Sequence, residues 1–345
     1  MKVLIAGLGS IGQRHVRNLR ALLGPDVEII AYRSRELPHV LTEQREIEPG
    51  SCVEAKYGIK AYRDLEEALA QRPNAAFICN PSSLHQTVAL SAARADCHLF
   101  IEKPLSNCYE GVEELIQTVD SKGLLALVGY QMRFHPCLQR LQSLLQQKAI
   151  GRILSVRVEV GEYLPEAHPY EDYRQGYAAR SELGGGVILS QIHELDYVYW
   201  LFGLPGRVIT FGGHLSSLEI DVEDTASSLM DCVVDGRAIQ IEVHQDFVQR
   251  PARHTCHVIG DAGKILTDLD AATVQVFDAE GRLAERCEFT DFQRNQLFVD
   301  ELKHFLACVR GNEEPILTLR DAAQSLRMAL AARQSLATGQ VVELN

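Results

Sequence analysis

The spacing of hydrophobic positions divides the chain into two parts with different predicted architectures. Before residue 129, short apolar runs alternate with segments whose apolar residues recur every three or four positions. This alternation predicts buried parallel strands with helices on both faces, an α/β doubly wound sheet. After residue 129, several short strand-like stretches follow one another, which predicts antiparallel pairing. We therefore predict one domain over residues 1–128 and a second over residues 129–345.

The first apolar run ends in a glycine pattern that predicts a dinucleotide site. A helical pattern follows at once, so the pattern joins a strand to a helix. Gly7 would make the tight turn, Gly9 would let the backbone approach a pyrophosphate, and Gly12 would let the helix pack closely. This context favours dinucleotide binding over a glycine-rich turn without a ligand. The predicted cofactor contacts in this turn are Gly7, Leu8, Gly9, Ser10, Ile11 and Gly12.

The residues at the end of the second strand indicate whether the cofactor is NAD or NADP. NAD-specific folds place Asp or Glu near this point to bind the ribose 2′-hydroxyl. Here the residues are Arg33, Ser34 and Arg35. Two guanidinium groups and a hydroxyl suit a 2′-phosphate, so we predict NADP as the preferred cofactor. The alternative is a pair of solvated arginines with NAD as the cofactor.

Polar residues follow two later strands at the edge of the sheet where ligands bind. Lys103 is the most informative of them, because Pro104 restricts its backbone and displays the side chain. Beside a nicotinamide, this lysine would act as a hydrogen-bond donor or general acid–base with a lowered pKa, whereas elsewhere it would be a solvated charge. The predicted cofactor contacts here are Asn80, Pro81, Ser82, His85, Glu102 and Lys103.

Two segments of the second part carry candidate chemistry. Residues 161–183 are rich in tyrosine and charge, which favours a substrate lid over an ordinary surface loop; Tyr163, Tyr173 and Arg180 are the candidate substrate contacts. Residues 187–202 are apolar nearly all round and predict one buried helix. Ser190, His193 and Asp196 would share a face of that helix.

Composition narrows the classes of partner and compartment. The chain has 345 residues, 46% of them hydrophobic, and a net charge of −12. This charge argues against nucleic acid or an anionic membrane as partner. Nine cysteines without a paired motif, and a strand that begins at the second residue, predict reduced thiols in a cytoplasmic protein. His254, Cys256 and His257 fall on opposite faces of one strand, so we predict no metal site.

In their order along the chain, these motifs resemble the Gfo/Idh/MocA oxidoreductase family. The matching segments are residues 7–15 (Gly-Leu-Gly-Ser-Ile-Gly-Gln-Arg-His), 80–85 (Asn-Pro-Ser-Ser-Leu-His), 102–104 (Glu-Lys-Pro), 129–136 (Gly-Tyr-Gln-Met-Arg-Phe-His-Pro), 184–186 (Gly-Gly-Gly) and 193–196 (His-Glu-Leu-Asp). The resemblance implies a Rossmann domain followed by a domain with a large, mainly antiparallel open sheet. One face of that sheet would carry the substrate pocket, and the other an interface for a homodimer or homotetramer.

The resemblance also implies roles for particular residues. Lys103 and His193 match the catalytic lysine and histidine of the family. Gln131 is a further cofactor candidate, and Arg133 and Ser190 are further substrate candidates. Many members have Asp four residues before the histidine, where this chain has Leu189. The carboxylate that orients the imidazole would then come from elsewhere, for example Asp196, or be absent.

The resulting hypothesis is an NAD(P)-dependent oxidoreductase that transfers hydride to or from a hydroxyl or ketone carbon of a sugar, sugar nucleotide or cyclitol. Two alternatives stay open, because some relatives use a bound dinucleotide in glycosidic bond cleavage and others bind it as regulatory proteins that lack the lysine.

Overall fold

The computed structural model describes residues 1–34, 39–43, 45–50 and 52–344. Its first part contains eight strands and five helices in alternation. The strands are β1 (Lys2–Ala6), β2 (Glu28–Tyr32), β3 (Val40–Leu41), β4 (Ile47–Glu48), β5 (Lys60–Tyr62), β6 (Ala75–Ile78), β7 (His98–Ile101) and β8 (Ala126–Val128). The helices are α1 (Ser10–Leu23), α2 (Val53–Tyr57), α3 (Leu65–Leu69), α4 (His85–Arg94) and α5 (Val112–Ser121).

Six of these strands form a parallel sheet in the order β5-β2-β1-β6-β7-β8, the order of dinucleotide-binding folds. The sheet is covered on both faces, as the side chains of β1 show, since they are buried on each face. Leu4 and Ala6 pack into the core beneath α4 and α5, whereas Val3 and Ile5 pack against α1. The predicted doubly wound sheet is confirmed, and β5 is a strand that the apolar pattern does not indicate.

The second part contains a nine-stranded sheet and six helices. The strands are β9 (Ile153–Gly161), β10 (Arg207–Gly213), β11 (Thr225–Val234), β12 (Arg237–Asp246), β13 (Arg253–Gly260), β14 (Gly263–Asp268), β15 (Thr273–Asp278), β16 (Leu283–Glu288) and β17 (Val342–Glu343). The helices are α6 (Pro136–Gln146), α7 (Leu164–Ala167), α8 (Val187–Ser190), α9 (His193–Phe202), α10 (Arg294–Val309) and α11 (Leu319–Thr338).

The nine strands lie in the order β16-β15-β14-β13-β9-β12-β11-β10-β17, and every neighbouring pair is antiparallel except β9 with β12. The predicted open sheet with mainly antiparallel strands is confirmed. Asp235 and Gly236 join β11 to β12 with φ of 50° and 74°, the left-handed geometry that their dipeptide predicts for a two-residue hairpin turn. The division at residue 128 stays a prediction, and α10 packs across it onto the α1 face of the parallel sheet.

The predicted single helix over residues 187–202 is wrong, because the chain breaks between α8 and α9. Gln191 has φ of −102° and ψ of 43°, outside the helical range. Its side-chain amide donates to the carbonyl of Asp246 (3.0 Å), and its own carbonyl accepts from the side chain of Gln245 (2.5 Å). These two bonds to β12 compensate for the lost helical bonds. His193 therefore begins α9, and Ser190 lies in a different helix rather than on the same face.

Candidate active site

The turn between β1 and α1 has the geometry of a dinucleotide cradle. Gly7 has φ of 102°, and a Cβ there would lie 2.9 Å from the Asn80 nitrogen. A Cβ on Gly12 would lie 2.0 Å from the Gly7 carbonyl oxygen, so both positions exclude a side chain. Gly9 caps α1 without any side-chain hydrogen bond, which leaves the first N–H groups of the helix for a ligand. Both polar atoms of the Asn80 side chain are buried without a hydrogen-bond partner among the described residues. These features fit a bound dinucleotide.

The remaining residues of the turn divide between the core and the cleft. Leu8 is buried, and its carbonyl accepts from the side chain of Gln13 (3.2 Å). Ser10 and Ile11 are half-buried. The Ser10 side chain lies beside the Tyr170 hydroxyl, so the segment after α7 reaches the dinucleotide turn.

At the end of β2, the side chain of Arg33 already has a partner within the protein. The Arg33 side chain is buried and forms an ion pair with Glu54 of α2. Its backbone N–H donates to the Tyr62 carbonyl (3.1 Å), which fixes its place next to β5. Ser34 is exposed, and Arg35 lies outside the described residues. The carboxylate of Glu54 therefore offsets the positive charge of Arg33, which is the charge predicted to bind a 2′-phosphate.

Three of the predicted cofactor contacts, Ser82, His85 and Glu102, also make hydrogen bonds within the protein. Ser82 donates from Oγ to the Gly184 carbonyl (3.2 Å), while Pro81 before it is half-buried. Both ring nitrogens of His85 lie 2.7 Å from backbone carbonyls, Nδ1 from that of Pro104 and Nε2 from that of Asn80. His85 therefore ties the turn after β6 to the residue that follows Lys103.

Glu102 is the third. It is 6% exposed, and its Oε1 lies 2.6 Å from Nε2 of the fully buried His15. Because His15 belongs to α1, this contact joins the end of β7 to the dinucleotide helix. Ser82, His85 and Glu102 thus have contacts within the protein, and their contacts with the cofactor stay a prediction.

Lys103 enters the cleft at the carboxyl end of β7. Its Nζ donates to the backbone carbonyl of Ser190 at the end of α8 (2.5 Å). Burial lowers the pKa of the amine below its ordinary 10.5, Arg294 lowers it further, and Glu102, Glu194 and Glu162 oppose the shift. A lysine with a lowered pKa, held by a single acceptor, is suited to accept and return a proton.

His193 begins α9, three residues after Ser190, whose carbonyl accepts from Lys103. Its Nε2 is 3.1 Å from Nε2 of Gln131, and its ring meets Tyr130 edge-on with centroids 6.0 Å apart. Burial, followed by the positive charge of Lys103, lowers its pKa well below 6.5, so the imidazole is neutral at physiological pH. Its Nδ1 is buried and has no partner within the described ranges.

Gln131, rather than a carboxylate, is the group that orients His193. Leu189 is fully buried in the core. Asp196 is engaged elsewhere, because it receives the guanidinium of Arg133 at 2.8 and 2.9 Å and the hydroxyl of Ser325 at 2.9 Å. The suggestion that Asp196 orients the histidine is therefore wrong.

Arg133 is likewise absent from the cleft. Its side chain is 3% exposed and is committed to Asp196, so the predicted substrate contact is wrong. Burial lowers the pKa of this guanidinium, but the charge and hydrogen bonds of Asp196 outweigh it and leave the pKa raised.

In the tyrosine-rich segment, some side-chain groups have partners within the protein and others have none among the described residues. The Tyr163 ring lies 3.3 Å from the guanidinium carbon of Arg250, and the Tyr173 hydroxyl accepts from the Glu219 N–H (3.2 Å). Arg180 donates from Nη2 to Glu182 (2.9 Å), but its buried Nε has no partner among the described residues. Of the three, Arg180 retains the clearest capacity to bind a ligand.

One further pair of open hydroxyls lies near Lys103. Ser190 Oγ and Tyr177 Oη are both buried and unpartnered within the described part of the chain. Burial raises the pKa of Tyr177 to about 12, and neighbouring Ser82 and Ser190 moderate the shift. Tyr177 belongs to the tyrosine-rich segment of the predicted lid, three residues before Arg180, but is not among the candidate substrate contacts that the sequence indicates. In the ranges that the structure describes, no group of three or more His, Cys, Asp or Glu side chains could hold a metal ion.

Comparison with known proteins identifies the family. Residues 1–130 match the model of an oxidoreductase family with an NAD-binding Rossmann fold, and residues 138–266 match the GFO/IDH/MocA C-terminal domain. The myo-inositol 2-dehydrogenase of Thermotoga maritima is 25% identical over 355 residues, covering 100% of this chain and 98% of that protein. The 1,5-anhydro-D-fructose reductase of Ensifer adhaerens is 25% identical over 307 residues, covering 86% and 88%.

Solved structures agree with this assignment. The WlbA dehydrogenase from Bordetella pertussis, in complex with NADH and UDP-GlcNAcA, aligns with a TM-score of 0.78 and 22% identity over 100% of this chain and 99% of that one. The fold of both parts is therefore shared. The chain belongs to the Gfo/Idh/MocA family of NAD-binding oxidoreductases.

Proposed function

We propose that this oxidoreductase transfers hydride between a nicotinamide cofactor and a hydroxyl or ketone carbon of a sugar, sugar nucleotide or cyclitol, with Lys103 as the acid–base group. The proposal is supported by the contacts of Lys103 and neutral His193 at the carboxyl edge of the parallel sheet. The Gly7–Gly12 turn lies at the same edge of the sheet.

The chemistry of each side chain follows from its contacts. In the oxidative direction Lys103 takes the proton of the substrate hydroxyl, and the cation that results stabilises the developing alkoxide. His193 keeps one face of its imidazole on Gln131 and presents buried Nδ1 as a hydrogen-bonding group. A nicotinamide dinucleotide held by the Gly7–Gly12 turn would supply the hydride acceptor. Burial of Lys103 and His193 excludes water and strengthens each interaction.

The substrate class is supported by the polar lining and by the relatives. Ser190 Oγ, Tyr177 Oη and Arg180 Nε are open hydrogen-bonding groups suited to a polyol. The relatives include enzymes named for myo-inositol and 1,5-anhydro-D-fructose, and the WlbA complex contains UDP-GlcNAcA. Tyr163 and Tyr173 would line the cleft by their ring faces.

A preference for NADP over NAD is a separate part of the proposal, based on Arg33, Ser34 and Arg35. Because Glu54 pairs with Arg33, we expect only a modest preference. Dissociation constants for NADPH and NADH measured by nicotinamide fluorescence test it. The Glu54→Gln variant should strengthen NADPH binding selectively; an NADH affinity above that for NADPH in both proteins would contradict the preference.

We further propose a cytoplasmic homo-oligomer that assembles through the outer face of the nine-stranded sheet. That face exposes Phe211, Leu229 and Val233 on β10 and β11, which supports a self-complementary contact. No helix in the described part of the chain is long and apolar enough to span a membrane.

Substitution of Lys103 tests the proposed chemistry. Lys103→Ala should lower kcat for hydride transfer by about 10²–10⁴-fold, because the acid–base group is lost. Arg282→Ala, which removes an exposed cation far from the cleft, serves as the control. Full activity of the Lys103→Ala protein would refute the mechanism.

A further inference from the structure

The residue before Lys103 is held from inside the fold by a histidine of the dinucleotide helix α1. Glu102 is buried, and the His15 side chain is fully buried. Because a carboxylate accepts, Nε2 of His15 carries the proton and donates to Glu102 Oε1 (2.6 Å). His15 comes three residues after Gly12 of the dinucleotide turn, whereas Glu102 follows β7. The bond therefore joins the cofactor helix to the strand that carries the lysine.

The surroundings of His15 are apolar. The centroid of its ring lies 5.4 Å from that of Phe77 and 4.9 Å from that of Phe100. Its Nδ1 is buried and has no hydrogen-bond partner among the described residues. Burial of a carboxylate is unfavourable unless donors reach it, so the N–H of His15 stabilises Glu102 in this position.

The other carboxylate oxygen of Glu102 faces the segment that supports His193. A Cβ on Gly129 would lie 3.3 Å from Glu102 Oε2, so the carboxylate packs against a residue without a side chain. The next two residues are Tyr130, whose ring meets His193 edge-on, and Gln131, whose Nε2 is 3.1 Å from the histidine Nε2. Glu102 thus lies where the cofactor helix, the acid–base lysine and the support of the histidine meet.

We propose that His15 is a positioning residue: by holding Glu102 in place, it fixes the backbone from which Lys103 reaches the cleft. The inference rests on the proposed function, because it concerns the alignment of Lys103 with the reacting carbon. The Nζ of this lysine is bound by the Ser190 carbonyl (2.5 Å), so its side chain is held at both ends. Burial lowers the pKa of Lys103, and Glu102 is the first of the carboxylates that oppose the shift. Displacement of Glu102 would change both the place and the acidity of the amine.

Replacement of His15 by leucine tests this role, because leucine suits an apolar site and its side chain donates no hydrogen bond. Glu102 stays intact, since it remains a predicted cofactor contact. The measurement is competitive acetylation of the full-length protein by acetic anhydride at one pH, with the rate at Lys103 divided by the rate at exposed Lys148. The ratio should change by about threefold or more in His15→Leu, because the neutral fraction and the position of the amine both change. His15→Gln, whose amide nitrogen can take the place of Nε2, should restore the ratio of the unmodified protein.

Asn18→Leu is the matched control. It removes another buried polar contact of α1, the bond that the Asn295 amide donates to Asn18 (3.1 Å), and leaves Glu102 untouched. It should leave the acetylation ratio unchanged even where it lowers the unfolding temperature as much as His15→Leu does. If His15→Leu does not fold, His15→Asn takes its place, because the shorter amide does not reach Glu102.

In the hydride-transfer assay, kcat of His15→Leu should fall by about 10–100-fold, the cost of a misplaced acid–base group. An unchanged acetylation ratio in His15→Leu, an equal change in Asn18→Leu, or no restoration by His15→Gln would overturn the role of His15. Acetylation needs no turnover. This failure is therefore distinct from failure of the proposed function, which the Lys103→Ala assay reports.

Discussion

Lys103 is fixed by an acceptor that lies 87 residues further along the chain. Its Nζ donates to the Ser190 carbonyl, which lies at the helix break set by Gln191. The sequence predicts the lysine, because its place after a buried strand and before Pro104 is local information. It does not predict the partner, because the bond uses the backbone carbonyl of Ser190, whereas the prediction for Ser190 concerns a contact with the substrate.

The pH dependence of the reaction follows from the two shifted groups. Lys103 must be neutral to take a proton, and its pKa lies below 10.5. His193 has a pKa well below 6.5 and stays neutral. We therefore expect kcat/KM for oxidation to rise with pH and level off below 10.5, without a separate ionisation near 6.5. A limb near 6.5 that disappears in His193→Asn would contradict the assigned state of the histidine.

At the scale of elements, α10 joins the two parts of the chain. It also carries Glu301, a buried carboxyl group that has no hydrogen-bond partner among the described residues. Phe305 packs edge-on against Phe77 and Phe100 of the parallel sheet. One turn earlier, Glu301 is 1% exposed, and neither of its oxygens has a partner among the described residues. Burial raises its pKa well above 4.5, and the charges of Glu102 and Asp196 add to the shift. The fold therefore favours the protonated, uncharged form of this carboxyl group.

This raised pKa makes a prediction about stability. Above about 4.5 the unfolded state releases the proton that the folded state retains, so the free energy of unfolding falls as pH rises toward the folded pKa. Glu301→Gln removes that loss, and its stability relative to the unmodified protein should increase between about pH 5 and about pH 8, by up to about 1.4 kcal/mol per unit of pKa shift. Urea unfolding at both pH values measures it.

Glu66→Gln is the matched control, since Glu66 is an exposed helical glutamate. It should show no such pH-dependent difference. A Glu301→Gln protein whose relative stability is the same at both pH values would show that Glu301 is ionised in the fold.

For the whole molecule, local patterns predict the architecture and long-range contacts decide the site. The parallel half follows from its strand-helix alternation. The break between α8 and α9 does not, because a segment that is apolar all round gives no sign of where it bends, and the partners Gln245 and Asp246 lie far along the chain. Arg133 was misassigned for the same reason: its pairing with Asp196 spans 63 positions.

The central claim is net hydride transfer at the Lys103 cleft, and the absorbance of reduced nicotinamide measures it directly. The purified enzyme should be incubated with NAD or NADP and a panel of cyclitols, neutral sugars, acidic sugars and sugar nucleotides, beside the Lys103→Ala protein. We predict substrate-dependent formation of NADH or NADPH, in stoichiometric amount with the oxidised product, by the unmodified enzyme alone. Cleavage of a glycoside without net change in the nicotinamide, or equal rates for the two proteins, would contradict the account.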